Sequence, residues 1–160
     1  MPADTAPAAR LTVADEGERG IIARIRSRLG ADPPWAVVGL GDDAAVVEPL
    51  RGALEVLTTD SLVEGVHFDL RFSRPSDVGW KALAVNLSDI AAMGAAPRAA
   101  LLSLALPPSL PIQAFDGLIE GFLALAREHR VFLAGGNITR SPVLPIAEVR
   151  LRAELQWTAG

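Results

Sequence analysis

The apolar residues of this chain change their spacing several times, and that succession limits the fold more than any other feature. In Asp15 to Leu29, Ile21, Ile22, Ile25 and Leu29 form one face of a short helix, which Gly30 stops and Pro33-Pro34 breaks. Trp35 to Leu40 reads as a strand running into Gly41-Asp42-Asp43, and Ala44 to Val47 as a second short one. Leu54 to Thr59 is a third strand, whose end delivers Asp60. From Pro75 to Met93, Val78, Ala82 and Val85 with Leu83, Leu87 and Ile90 cover neighbouring stripes of a helix that Gly94 and Pro97 end. Ala99 to Leu106 reads as a buried strand. A helix follows from Leu110 to about Glu128, capped by Ser109, with Phe115, Leu118, Ile119 and Phe122 inward. Val131 to Ala134 is a strand entering a Gly135-Gly136 turn. Finally Ala147, Val149, Leu151, Ala153 and Leu155 alternate with polar residues, the period of a strand with one wetter face. Strands separated by helices place the chain in the α/β (α+β) class, as a mixed β-sheet with helices packed on one side.

Composition narrows the function classes. At 160 residues the chain is long enough for one domain with a sizeable core. Half of it is hydrophobic, so some apolar surface is expected to be buried against another domain or subunit. A net charge of -4 with no basic cluster argues against a nucleic-acid partner. The absence of Cys removes disulfides, thiolate metal sites and a Cys nucleophile, and is consistent with a reducing cytoplasm. Met1 to Arg10 is Ala/Pro-rich without an apolar centre, so it is not read as a signal peptide, and residues 1–14 are expected to be a disordered leader. The greasiest stretch, Ala99 to Leu106, is too short to span a bilayer, so a soluble protein with no membrane partner is expected.

Four polar segments stand at the ends of these apolar runs: Gly41-Asp42-Asp43-Ala44, Thr58-Thr59-Asp60, Asn86-Leu87-Ser88-Asp89 and Gly135-Gly136-Asn137. An Asp held near a core is costly unless a cation or hydrogen-bond donors compensate, and several together suggest a hard-metal site and phosphate chemistry. Each has a plainer reading. Gly41-Asp42-Asp43 suits a polar turn, Asp60 or Thr59 could cap the next turn, and a buried Asp89 could be satisfied by Asn86 at i, i+3. The surroundings of Asp89, rich in Ala and Met where a solvated face would carry Lys and Glu, favour a functional site. The glycines at 135 and 136 would let backbone approach a phosphate, and Arg140 could add charge. No P-loop and no Gly-x-Gly-x-x-Gly occurs. His67, without a second His nearby for zinc, suits a substrate hydrogen bond or a structural role, and His129 reads as surface.

Taken together, Gly-Asp-Asp-Ala-Ala-Val, Thr-Thr-Asp-Ser-Leu-Val-Glu-Gly-Val-His-Phe, the Trp80 to Ala95 helix and Gly-Gly-Asn-Ile-Thr-Arg-Ser resemble, in order and spacing, the N-terminal half of the thiamine-monophosphate kinases. The resemblance covers residues from about 15 to 155. The same fold is shared by aminoimidazole ribonucleotide synthetase, selenophosphate synthetase and a hydrogenase maturation protein. It implies ATP-dependent phosphorylation of thiamine monophosphate to thiamine diphosphate, with ATP as co-substrate and several Mg²⁺ ions. By position it implies Asp42, Asp60 and Asp89 as metal ligands with Thr58, Thr59 and Asn137, Gly136 and Asn137 at ATP, and His67 at the substrate. No side chain is assigned as a catalytic acid or base. A cytoplasmic homodimer joined through its sheets is implied. Residues 15–160 then form the N-terminal ATP/Mg-binding domain, with the family's second domain beyond this chain. Asn137 stands where many relatives have Asp, which removes one charge from the glycine segment. Two other readings stand beside it: another ATP-dependent enzyme of the superfamily, and a non-catalytic dimerisation or nucleotide-binding module. Selenophosphate synthetase usually offers a reactive Cys or selenocysteine and a Lys near its N-terminus, and neither occurs in the leader or first helix here.

Overall fold

The computed structural model describes residues 11–142 and 145–156. Its elements follow the order read from the sequence: α1 (Val13–Arg26), β1 (Ala36–Val38), β2 (Val46–Val47), β3 (Ala53–Val63), α2 (Pro75–Ala92), β4 (Ala96–Leu106), α3 (Ile112–Glu128), β5 (Phe132–Arg140) and β6 (Pro145–Gln156). Thr12 anchors the first helix, its backbone N–H and hydroxyl donating to the Asp15 carboxylate at 2.8 and 2.7 Å. The helix therefore begins inside the segment expected to be a leader; residues 1–10 lie outside the described residues. It is also not continuous, because Gly17 breaks it with a φ of 66°. The second strong helix starts as its sequence suggests, with Pro75 in its first turn. The third begins two residues later than read, and Pro111, not Ser109, stands at its N-cap.

Four strands make one mixed sheet in the order β3-β6-β4-β5, with β4 and β5 parallel and the other neighbours antiparallel. The short pair β1-β2 forms a separate ribbon. The Gly135-Gly136 turn is a misreading: both glycines lie inside β5, opposite Leu101 and Leu102 of β4. The strand runs on because its pairing with β4 overrides the local turn preference of Gly-Gly-Asn.

Alternation fixes the two faces of the sheet. Ala100, Leu102, Leu104 and Leu106 of β4 are buried beneath the helices with Leu62 and Leu133. Against them pack Val78, Ala82, Leu83 and Ile90 of α2 and Phe115, Ile119 and Phe122 of α3. Among the described residues no helix covers the opposite face, and Leu57 and Leu101 stand 72% and 39% exposed on it. Trp35 shields one end of that face, edge-on to Phe132 at 5.5 Å, while Arg98 lies 4.1 Å above the Trp35 ring and pairs with Glu154. The first helix and the residues just after it are tied to the third by charge: Arg24 reaches Asp116 at 3.6 Å and Arg28 reaches it at 2.9 Å.

Candidate functional site

The sheet register states where the polar segments go. Asp60 lies opposite Val149, Val149 opposite Leu102, and Leu102 opposite Gly136, so these four form one row across the sheet. Side chains in a row share a face, which puts Asp60 and, two residues earlier, Thr58 on the helix-covered side. There Thr58 Oγ1 donates to Asp89 Oδ2 of α2 at 2.7 Å, uniting residues far apart in sequence. Thr59, one residue along, faces the other side.

This arrangement overturns the expected burial of Asp89. Asp89 is exposed, and it is Asn86, one turn earlier, that is fully buried, its Nδ2 donating to the Ala82 carbonyl at 3.0 Å. Asn86 therefore does not satisfy Asp89; Thr58 does. Asp42 and Asp43 are exposed as well, and Asp60 is half-buried.

The second group gathers at the other edge. The loop Leu40 to Ala45 lies along β5 and encloses a cleft of about 370 Å³ lined by Gly41, Asp42, Asp43, Gly136, Asn137 and Glu18. A second hollow, of about 420 Å³, continues onto the uncovered face past Leu101 and Ser103. Gly136 is dictated by packing, since a Cβ there would stand 1.8 Å from the Leu102 carbonyl oxygen. Asn137 pairs with Ser103 and is exposed on the open side of the sheet. Gly41 has a φ of 114°, outside the range that side chains tolerate.

Asp60 and Gly136 occupy opposite edge strands of the sheet, about 14 Å apart at the usual strand spacing. The expected convergence of Asp42, Asp60 and Asp89 on one small volume is therefore not what the chain shows. Among the described residues no group of three or more His, Cys, Asp or Glu side chains stands close enough to hold a metal ion. What it shows is Thr58 and Asp60 on one face of β3 with Asp89 of α2 bonded to Thr58, and an Asp42–Asp43–Gly136–Asn137 group around β5. Both offer hard oxygen donors, the chemistry that Mg²⁺ prefers, with few enough protein ligands to leave positions for water and phosphate.

His67 belongs to a tightly built turn after β3. Its Nδ1 accepts the Val63 N–H at 3.0 Å, its own N–H donates to the Val63 carbonyl at 2.8 Å, and Lys81 Nζ donates to its carbonyl at 2.6 Å. An imidazole that accepts through Nδ1 carries its proton on Nε2, so the exposed nitrogen of the neutral ring is a donor and not a metal ligand. Nearby, the Arg71 hydrogen bonds hold the Asp69 carboxyl below its usual range. Glu18 and Lys81 were not singled out from the sequence. The one available signal for Glu18 was the helix-weakening Gly17-Glu18-Arg19-Gly20, where two glycines interrupt an otherwise regular stripe.

A mixed sheet with helices on one side and a glycine-bearing edge strand facing an acidic loop places the chain among the α/β domains. The family model for AIR synthase related protein, N-terminal domain, matches residues 41–149, and the chain belongs to that family. Within it the similarity is to thiamine-monophosphate kinases. That of Bacillus subtilis is 40% identical over 119 residues, 74% of this chain and 37% of the relative. That of Corynebacterium glutamicum is 40% identical over 137 residues, 85% of this chain and 40% of the relative. Among solved structures, the thiamine-monophosphate kinase of Stenotrophomonas maltophilia K279a superposes with a TM-score of 0.69 at 41% identity, over 84% of this chain and 40% of that one. AaThiL complexed with AMPPCP and TMP gives 0.64 at 36% identity, over 97% of this chain and 47% of that one. The hydrogenase maturation protein HypE of E. coli shares the fold, at a TM-score of 0.66 and 17% identity. The chain spans about two fifths of the length of the curated relatives it matches.

Proposed function

We propose that this chain is the nucleotide- and magnesium-binding half of a cytoplasmic thiamine-monophosphate kinase, which phosphorylates thiamine monophosphate to thiamine diphosphate at the expense of ATP. The observation that carries the reading is the joint presence of the β5 cleft and 36% identity to a kinase seen with AMPPCP and TMP. Gly136, which can bear no side chain, brings backbone close to the ATP phosphates, and Asn137 meets ATP or its metal. Asp42, Thr58, Thr59, Asp60, Asp89 and Asn137 are the oxygen donors for Mg²⁺, and His67, through Nε2–H, meets an acceptor atom of thiamine monophosphate. Mg²⁺, when bound, neutralises charge on the transferring phosphoryl group.

The chain's own residues have a limited task. The attacking group is a phosphate oxyanion, so no side chain need remove a proton, and alignment and charge neutralisation suffice. The clefts described here hold a nucleotide; nothing after Asn137 among the described residues adds a surface that would enclose a thiamine moiety too. The 160-residue chain is therefore expected to bind Mg·ATP with little or no turnover. Incubation with ATP, Mg²⁺ and thiamine monophosphate, followed by chromatography for thiamine diphosphate, tests this. Turnover at the rate of a full-length relative would overturn the half-site reading. Calorimetry supplies the other arm: Asp60→Asn and Asp89→Asn should each weaken Mg·ATP binding about tenfold or more, and unchanged affinity in both would remove these residues from the site.

A further inference from the structure

The acidic cleft at β5 raises an electrostatic problem. The charged side chains lining it are Glu18, Asp42 and Asp43, with no Lys or Arg among them, yet the proposed occupant is a polyphosphate. Metal ions meet part of that need. A protein cation stands at the cleft's rim as well. Arg26, in the last turn of α1, lies two turns beyond Glu18 and one beyond Ile22, both of which line the cleft, so helical spacing turns it to the same side. Its guanidinium is folded against the Gly41 backbone: a Cβ added to Gly41 would meet Arg26 Nη1 at 2.7 Å and its Cζ at 3.6 Å.

The neighbouring arginines show what is distinctive here. Arg24 is paired with Glu16 and Asp116, and Arg28 with Asp116 and Glu120. The Arg26 side chain has no ion pair or hydrogen bond among the described residues, although its guanidinium lies beside Gly41 of the loop that carries Asp42 and Asp43. Gly41 has a positive φ, and a side chain there would collide with the Arg26 guanidinium, so glycine is what lets the loop and the cation lie side by side. A guanidinium so placed keeps its donors for an incoming anion, and its fork matches phosphate oxygens.

We infer that Arg26 is a phosphate-binding residue of the β5 cleft, donating to the outer phosphates of a nucleoside di- or triphosphate seated between the Gly41–Asp43 loop and the Gly135–Asn137 strand. The inference rests on the nucleotide reading of that cleft. It explains how a cleft with three carboxylates accepts a polyanion, and it makes affinity depend on the number of phosphates.

The test is calorimetry on the 160-residue chain with ATP, ADP and adenosine in excess Mg²⁺, comparing Arg26→Gln and Arg26→Lys with the unaltered protein. Arg26→Gln is expected to weaken ATP about tenfold, as loss of a charge-assisted pair does, while adenosine affinity stays the same. Arg26→Lys should recover part of the loss, and the salt dependence of ATP binding should flatten in Arg26→Gln. Thermal midpoints should not change, because the side chain is exposed. Equal ATP affinity in Arg26→Gln and the unaltered chain overturns the inference while leaving the nucleotide reading intact. An equal loss for ATP and adenosine assigns Arg26 to loop shape and also overturns it. An unaltered chain that binds neither ATP nor ADP removes the nucleotide reading and this inference with it.

Discussion

Gly136 admits no side chain, because a Cβ would stand 1.8 Å from the Leu102 carbonyl oxygen. Gly136→Ala is expected to push β5 off β4 at the point where both clefts meet it, costing about 1–3 kcal/mol by overpacking and reducing nucleotide affinity; urea unfolding and calorimetry read the two effects separately. His67 offers a finer distinction. Asn at this position can accept the Val63 N–H much as Nδ1 does, whereas Ala cannot. His67→Asn should therefore keep the Val63 amide protected from hydrogen exchange, and His67→Ala should lose that protection. Equal exchange in the two variants would show that the Nδ1 contact does not hold the turn. The sequence marked Asp60 and Asp89 as polar residues beside apolar runs, and Thr58 does meet Asp89. It misjudged the burial of Asp89, since a helix set of Ala and Met does not say which flank is covered. Only packing against α3 and β3 decided that Asn86 goes inside and Asp89 stays out.

Helices α2 and α3 touch through glycine. A Cβ on Gly79 would lie 1.8 Å from the Leu118 carbonyl oxygen, and one on Gly121 would lie 1.9 Å from that of Ser76. Backbones that close have no room for a methyl group, so Gly79→Ala or Gly121→Ala should force the helices apart at a cost of roughly 1–3 kcal/mol, read as a lower urea midpoint. The periodic stripes of both helices were legible locally; their close crossing was not, because a glycine in a stripe carries no signal of what approaches it. The first helix supplies a pH prediction. The Thr12 hydroxyl and backbone N–H hold the Asp15 carboxyl below its usual 3.8. A depressed carboxylate contributes stability that is fully present above the unfolded value and is lost as pH falls through the lower folded one. The start of α1 should thus fray only below about that usual value. Asp15→Asn should abolish this acid step, with amide exchange at Val13 and Ala14 as the readout.

At the scale of the molecule, one face of the sheet is packed and the other is not. Leu57 and Leu101 on the uncovered face, with the apolar excess of the composition, support the expectation of a homodimer joined through the sheet. If it forms that way, Leu57→Lys and Leu101→Lys should each shift light scattering toward the monomer without changing the helical signal in circular dichroism. A monomeric unaltered chain at high concentration would rule that interface out. The same two-sidedness governs the candidate site. Thr58 and Asp60 lie on the helix side of the β3 edge, with Asp89 of α2 reaching Thr58, and the Asp42–Asn137 group surrounds the other edge.

By itself the sequence determined the number, kind and order of the elements, because each depends on residue spacing within a window shorter than the element that it forms. It determined the fold class for the same reason, and it pointed to the family through motifs whose order survives translation along the chain. It singled out the polar residues too, but it put Asp60 and Gly135 to Asn137 at strand ends, whereas they lie inside β3 and β5. The tertiary structure alone decided the strand order β3-β6-β4-β5, which sets β3 and β5 on opposite edges. It decided too that Gly135 and Gly136 continue a strand, since the hydrogen bonds that extend β5 come from β4, some thirty residues earlier. Pairing between distant segments is a sum of many small packing and hydrogen-bond gains over the whole sheet, and no local period records it.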